Sequence, residues 1–94
     1  MLNANGVTDK EYLEYKGRPL VRQGDELFYG DMSEEYYIYM LIMKEKDTPN
    51  GTLPEKVMVQ LCQSKTQIPK EQKILGGFKE AFEYADAWLE RYNK

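Results

Sequence analysis

Between Phe78 and Tyr92 the apolar residues Phe78, Ala81, Phe82, Ala85, Trp88, Leu89 and Tyr92 recur at helical spacing, and Lys79, Glu80, Glu83, Asp86, Glu90 and Arg91 fill the opposite face. The spacing predicts an amphipathic helix of about four turns with one side for a core. Trp88 falls on the core side, where truncation to alanine is expected to cost about 3–5 kcal/mol.

Upstream the period changes. Tyr36–Met43 is an unbroken apolar run with no polar face at any helical phase. Its Tyr and Ile content suits a strand, and a continuous run suits a strand covered on both faces. Asp31 and Glu34 have helix-cap spacing, and Lys44 and Lys46 would suit a helix end, but the stronger pattern predicts a central strand from about Tyr36 to Glu45. Alternation then puts Tyr36, Ile38, Met40 and Ile42 on one face and Tyr37, Tyr39, Leu41 and Met43 on the other.

Leu20–Gln23, Gly24-Asp25 and Leu27–Tyr29 read as a tight hairpin, with Gly24 supplying positive φ at the first turn position and Pro19 opening an edge strand. Val57–Gln63 alternates and should pair with the central strand. Asp47–Glu55, with Pro49-Asn50-Gly51 and Pro54, reads as a solvated connection, and Ser64–Gly77, with Pro69 and Gly76-Gly77, as an irregular crossing. Residues 8–16 stay open between two readings. Thr8 and Glu11 have capping-box spacing, with Val7 and Tyr12 as a staple, whereas Tyr12–Tyr15 also suits a strand running into a Lys16-Gly17 turn. Residues 1–6 are expected to be a mobile tail.

These elements predict an α+β fold: an antiparallel meander of four to five strands with the C-terminal helix packed on one face. At 94 residues, one domain over 1–94 is expected.

The net charge of −3 is adverse for a general nucleic-acid binder, so no nucleic-acid partner is expected. Lys65, Lys70, Lys73 and Lys79 make one stretch locally basic, read as a solvated loop. One cysteine cannot form an internal disulfide, the N-terminus lacks a signal peptide's basic start and apolar core, and no apolar run is long enough for a spanning helix. A cytoplasmic protein without a membrane partner is the expectation.

No residue set spells a catalytic site. Histidine is absent, which removes the commonest general base and a principal metal ligand. Cys62 reads as a small buried hydrophobe. Gly76-Gly77 before a helix could attract an anion, but a sharp chain reversal explains it better. The turn Tyr29-Gly30-Asp31-Met32-Ser33-Glu34-Glu35 could in principle bring carboxylates to a metal or an acid–base pair, yet a solvated turn tied by Asp31 accounts for it. No cofactor, no metal and no enzyme activity are expected.

The run Tyr12–Arg22 (YLEYKGRPLVR), then Tyr29-Gly30-Asp31 and Ala87-Trp88-Leu89-Glu90, resembles small cytosolic proteins of anaerobic Gram-positive bacteria, a group with no assigned activity. The resemblance covers about half the chain, implies a bacterial cytosolic origin, and carries no functional residue.

The imbalance of faces gives the functional expectation. One amphipathic helix cannot cover both apolar faces of the central strand. Either residues 1–17 or 64–77 cover the second face, or another molecule does. Tyr37, Tyr39, Leu41 and Met43 are therefore the candidate binding residues, and a self-associating, non-catalytic interaction domain, a homodimer, is the leading expectation. The alternative is a small-molecule binder with a pocket between helix and sheet, lined by Tyr37, Tyr39 and Trp88 or their neighbours. A small enzyme using carboxylate and Tyr chemistry is the third reading.

Overall fold

A computed structural model of the protein describes residues 10–93, as six strands followed by one helix. The strands are β1 (Lys10–Tyr15), β2 (Arg18–Gln23), β3 (Glu26–Tyr29), β4 (Tyr36–Thr48), β5 (Gly51–Gln63) and β6 (Pro69–Leu75), and the helix is α1 (Phe78–Tyr92). Each strand pairs antiparallel with the next in a single sheet of order β1-β2-β3-β4-β5-β6. The fold is therefore the expected α+β meander with a C-terminal helix, but with six strands instead of four to five.

The two extra elements have clear physical origins. Lys16 and Gly17 both adopt positive φ, 52° and 77°, which is the two-residue turn whose twist matches paired strands. That turn joins β1 to β2 and overturns a helix over residues 10–15. Thr8, the cap of that alternative, and the expected tail at 1–6 lie outside the described residues. Residues 69–75 are strand β6, not an irregular crossing. An edge strand needs few apolar positions, so the pattern Lys-Glu-Gln-Lys carried no alternation to read.

β4 and β5 run longer than expected, 13 residues each, with only Pro49-Asn50 left between them. Register shifts between Ile42, Lys44 and Glu45 mark bulges. Beyond them neither β3 nor β6 pairs alongside, so residues 43–56 form a two-stranded arm. Pro54 falls there, in the edge-like setting that proline tolerates.

α1 lies across one face of the sheet. Leu27 and Tyr29 of β3, Tyr36, Ile38, Met40 and Ile42 of β4, and Val57, Val59 and Leu61 of β5 form one buried cluster with Ala81, Phe82, Ala85 and Leu89. Burying each large apolar side chain is worth about 1.5–3 kcal/mol. Ala81 and Ala85 let the helix approach closely, and Gly30 does the same from below. A Cβ on Gly30, whose φ is 113°, would sit 3.4 Å from Leu89 Cδ1. Trp88 only flanks this cluster, half-buried.

Both helix ends are tied by side chains. Gly76 N–H donates to Glu80 Oε1 at 3.1 Å, so a carboxylate of the helix's first turn ties down the glycine pair that precedes it. At the other end the Asn93 amide pairs with both backbone groups of Tyr36.

Candidate interaction surface

The sheet face turned away from α1 is built by register. Val21, Phe28, Tyr39, Gln60 and Gln72 stand opposite one another in one row across β2 to β6. Glu26, Leu41, Met58 and Ile74 make the next row. Val21, Phe28, Tyr39, Leu41 and Met58 are half-buried, and Ile74 is 49% exposed. The result is a band of apolar and aromatic side chains that no described element covers.

Polar groups within the band satisfy one another. Tyr39 hydroxyl donates to Glu26 Oε2 at 2.6 Å, and its ring packs on Phe28 with centroids 5.3 Å apart. Burial, then the Glu26 carboxylate, pushes the Tyr39 pKa up to about 12. Gln60 donates to Gln72 at 2.8 Å and accepts from the Cys62 thiol at 3.8 Å. A face with its donors paired internally loses little when water leaves it.

The candidate residues divide. Tyr39 and Leu41 lie in the half-exposed band. Tyr37 shares their face but is only 7% exposed, opposite Cys62 at 3%. Burial pushes both pKa values up, with the neighbouring Tyr37 hydroxyl offsetting part of the effect on the thiol. Met43 is 49% exposed but leaves the ladder at the bulge, and Lys44, opposite Lys56, takes the next position on this face. Strict alternation had given that position to Met43. Phe28, Glu26, Met58 and Ile74 went unrecognised in the sequence. The Gly24-Asp25 turn sets Val21 against Phe28, so Phe28 was readable from hairpin geometry.

The three residues named for a pocket between helix and sheet do not come together. Tyr37 and Tyr39 point away from α1, which carries Trp88, so the three cannot line one pocket between sheet and helix. Open clefts among the described residues lie elsewhere. One, of about 430 Å³, lies where Arg18 meets Asp31, Glu34, Glu90 and Asn93. Another, of about 480 Å³, lies beside Met32, Ser33 and Gln63.

One carboxylate–tyrosine pair is closed off inside the fold. Asp86, 8% exposed, accepts from Tyr29 hydroxyl at 2.6 Å and Arg18 Nη1 at 2.9 Å, and its second oxygen faces the Lys16 ammonium at 3.2 Å. Burial, then Asp86, pushes the Tyr29 pKa up to about 12. A fully buried, protonated phenol cannot serve as a base for an outside substrate. The cluster instead pins the β1–β2 turn to α1. Asp31 Oδ1 accepts from Ser33 N–H at 2.9 Å and Ser33 hydroxyl at 2.7 Å, bonds that hold its carboxyl below the usual range. It closes a turn. Among the described residues no group of His, Cys, Asp and Glu could hold a metal ion, and no helix is long and apolar enough to cross a membrane.

No family model matches the chain, and no curated protein or solved structure matches it either.

Proposed function

We propose that this protein is a non-catalytic interaction domain that self-associates through the sheet face opposite α1. The observation that carries the reading is the registered band Val21–Phe28–Tyr39 and Leu41–Met58–Ile74, left uncovered while its polar groups are paired internally. Aromatic and Met side chains around one carboxylate, Glu26, held by the Tyr39 hydroxyl, support the reading of an interface core. A two-fold copy covers both molecules with one surface, the commonest oligomer symmetry.

The free edge of the β4 arm is a poorer candidate. In a two-fold antiparallel pair one residue faces its own copy. Along the free edge of the β4 arm, Lys44-Glu45-Lys46-Asp47, every such register sets a charge against itself.

Light scattering at low micromolar concentration is expected to return two chains of 11.1 kDa per particle. Tyr39→Glu is expected to halve that mass and Glu83→Lys, on exposed α1 surface, to leave it unchanged. A wild-type monomer would overturn the reading.

A further inference from the structure

The base of the β4–β5 arm holds an arrangement that the isolated chain does not explain. Lys44 and Lys56 are directly opposed across the two strands, on the same face as Tyr39, Leu41 and Met58. Like charges in that position destabilise a strand pair. The only carboxylate paired with either, among the described residues, is Glu55, at 3.9 Å from the Lys44 ammonium and half in solvent. At the far end of the same strand, Ser64 N–H donates to Glu35 carbonyl and carries the β4–β5 pairing one residue beyond Tyr36. Glu35 thus falls opposite Ser64, in the bend that leads into β4 at the Tyr37 end of the face, and it is exposed. The face thus has two cations at one end of β4 and a carboxylate at the other, with the apolar band between them and, within it, Glu26 held by the Tyr39 hydroxyl.

We infer that the second copy docks on this face with its strands antiparallel, so that Lys44 and Lys56 of each chain meet Glu35 of the other. The inference rests on the self-association reading and adds its orientation. Two two-fold arrangements bring the faces together with the strands of the two sheets aligned. An axis along the strands lays Lys44 over its own copy and Glu35 over its own copy. An axis across the strands reverses one sheet against the other and lays cations over carboxylate at both ends. Only the second is complementary in charge, and complementary potentials fix register and suppress the wrong docking. The midpoint between positions 35 and 44 falls at Tyr39 and Met40. The axis therefore crosses the middle of the Tyr39 row, and the aromatic band becomes the centre of the interface. From Lys44 to Glu35 is about 30 Å of extended chain, so the charged ends form a rim where pairs remain accessible to salt.

The test is charge reversal with rescue, read as the dimer dissociation constant by analytical ultracentrifugation. Lys44→Glu with Lys56→Glu is expected to weaken the wild-type dimer at least several-fold, and Glu35→Lys alone to weaken it as well. Mixing the two variant proteins is expected to restore wild-type affinity, as a heterodimer, because every reversed charge then meets its opposite. High salt is expected to erase these differences. All substituted positions are exposed or arm residues, and circular dichroism with the wild-type spectrum confirms folding. If the variants dimerise as tightly as wild type, or if the mixture is no tighter than its components, the antiparallel docking is wrong. In that case Tyr39→Glu still decides whether the face is used at all. A wild-type monomer would remove both.

Discussion

The Tyr29 hydroxyl donates a 2.6 Å hydrogen bond to Asp86 Oδ1, joining β3 to α1 across 57 positions of chain. Arg18 reaches the same oxygen from β2 at 2.9 Å. One carboxylate thus holds a hairpin and the helix in a fixed relation. Asp86 stands on the polar side of the helical pattern, yet Lys16, Arg18 and Tyr29 close over it and leave it 8% exposed. A buried carboxylate survives only with such partners.

Removing that carboxylate leaves the buried Tyr29 phenol only the Tyr15 carbonyl, at 3.2 Å, and the half-buried Arg18 guanidinium only the phenol oxygen, at 3.5 Å. Asp86→Ala is therefore expected to lower stability by about 3 kcal/mol, at the lower end of the range for breaking a buried pair. Asp86→Asn keeps an acceptor for Tyr29 and should lose less. Urea unfolding of both variants checks the order, and equal midpoints for Asp86→Ala and wild type would show that the cluster holds nothing.

The helix interface gives a second ranking. Leu89 is 2% exposed at the centre of the cluster, whereas Trp88 packs at its margin beside Tyr84, with ring centroids 5.9 Å apart. Leu89→Ala is expected to cost about 2–5 kcal/mol. Trp88→Ala should cost less than Leu89→Ala, below the penalty that its size and helical phase alone suggested. Denaturant titrations decide it, and a larger loss at Trp88 would mean that the indole is packed more deeply than its position indicates.

Much of this architecture was legible in the chain. α1 and the central strand were readable because their periodicity and apolar content are determined locally. The β2–β3 hairpin was readable because Gly24 identifies its turn. β6 was not, since a strand solvated along one edge can be written in Lys, Glu and Gln. The interaction surface was half legible for a related reason. Alternation within β4 gives Tyr37, Tyr39 and Leu41, but the loop between Gly30 and Glu35 decides which β3 residue sits beside Tyr39. The bulge that moves Met43 out of the ladder and Lys44 into it arises from pairing with β5, and no spacing within β4 announces it.

Alkaline pH should separate two tyrosines from the rest. Tyr29 and Tyr39 each have a pKa pushed up to about 12, in both cases first by burial and then by a hydrogen-bonded carboxylate. Folding therefore favours the neutral phenol. This contribution to stability is complete below the ordinary tyrosine pKa near 10 and is lost as pH rises from there toward 12. Ultraviolet titration should show a late phase that shrinks by one phenol in Tyr29→Phe and by one in Tyr39→Phe. Stability that stays flat across that window would contradict the assignment.

Asn93, just past the last helical turn, supplies what a neighbouring strand would otherwise provide. Its Oδ1 accepts from Tyr36 N–H and its Nδ2 donates to Tyr36 carbonyl, both at 2.9 Å. β3 begins pairing with β4 only at Ile38, so the first residue of β4 has no backbone partner on that side. An amide side chain is the one group that can copy a peptide's donor and acceptor together. Asn93→Ala should leave both groups of Tyr36 unpaired in a part-buried setting, at a cost of about 1–3 kcal/mol. Asn93→Asp keeps the acceptor and loses the donor, so it should restore protection of the Tyr36 N–H without restoring full stability. Hydrogen exchange at the Tyr36 amide separates the cases: fast in Asn93→Ala, slow in wild type, and close to wild type in Asn93→Asp. Unchanged exchange in Asn93→Ala would mean that Tyr36 is held from elsewhere and that the helix end does not clamp the central strand.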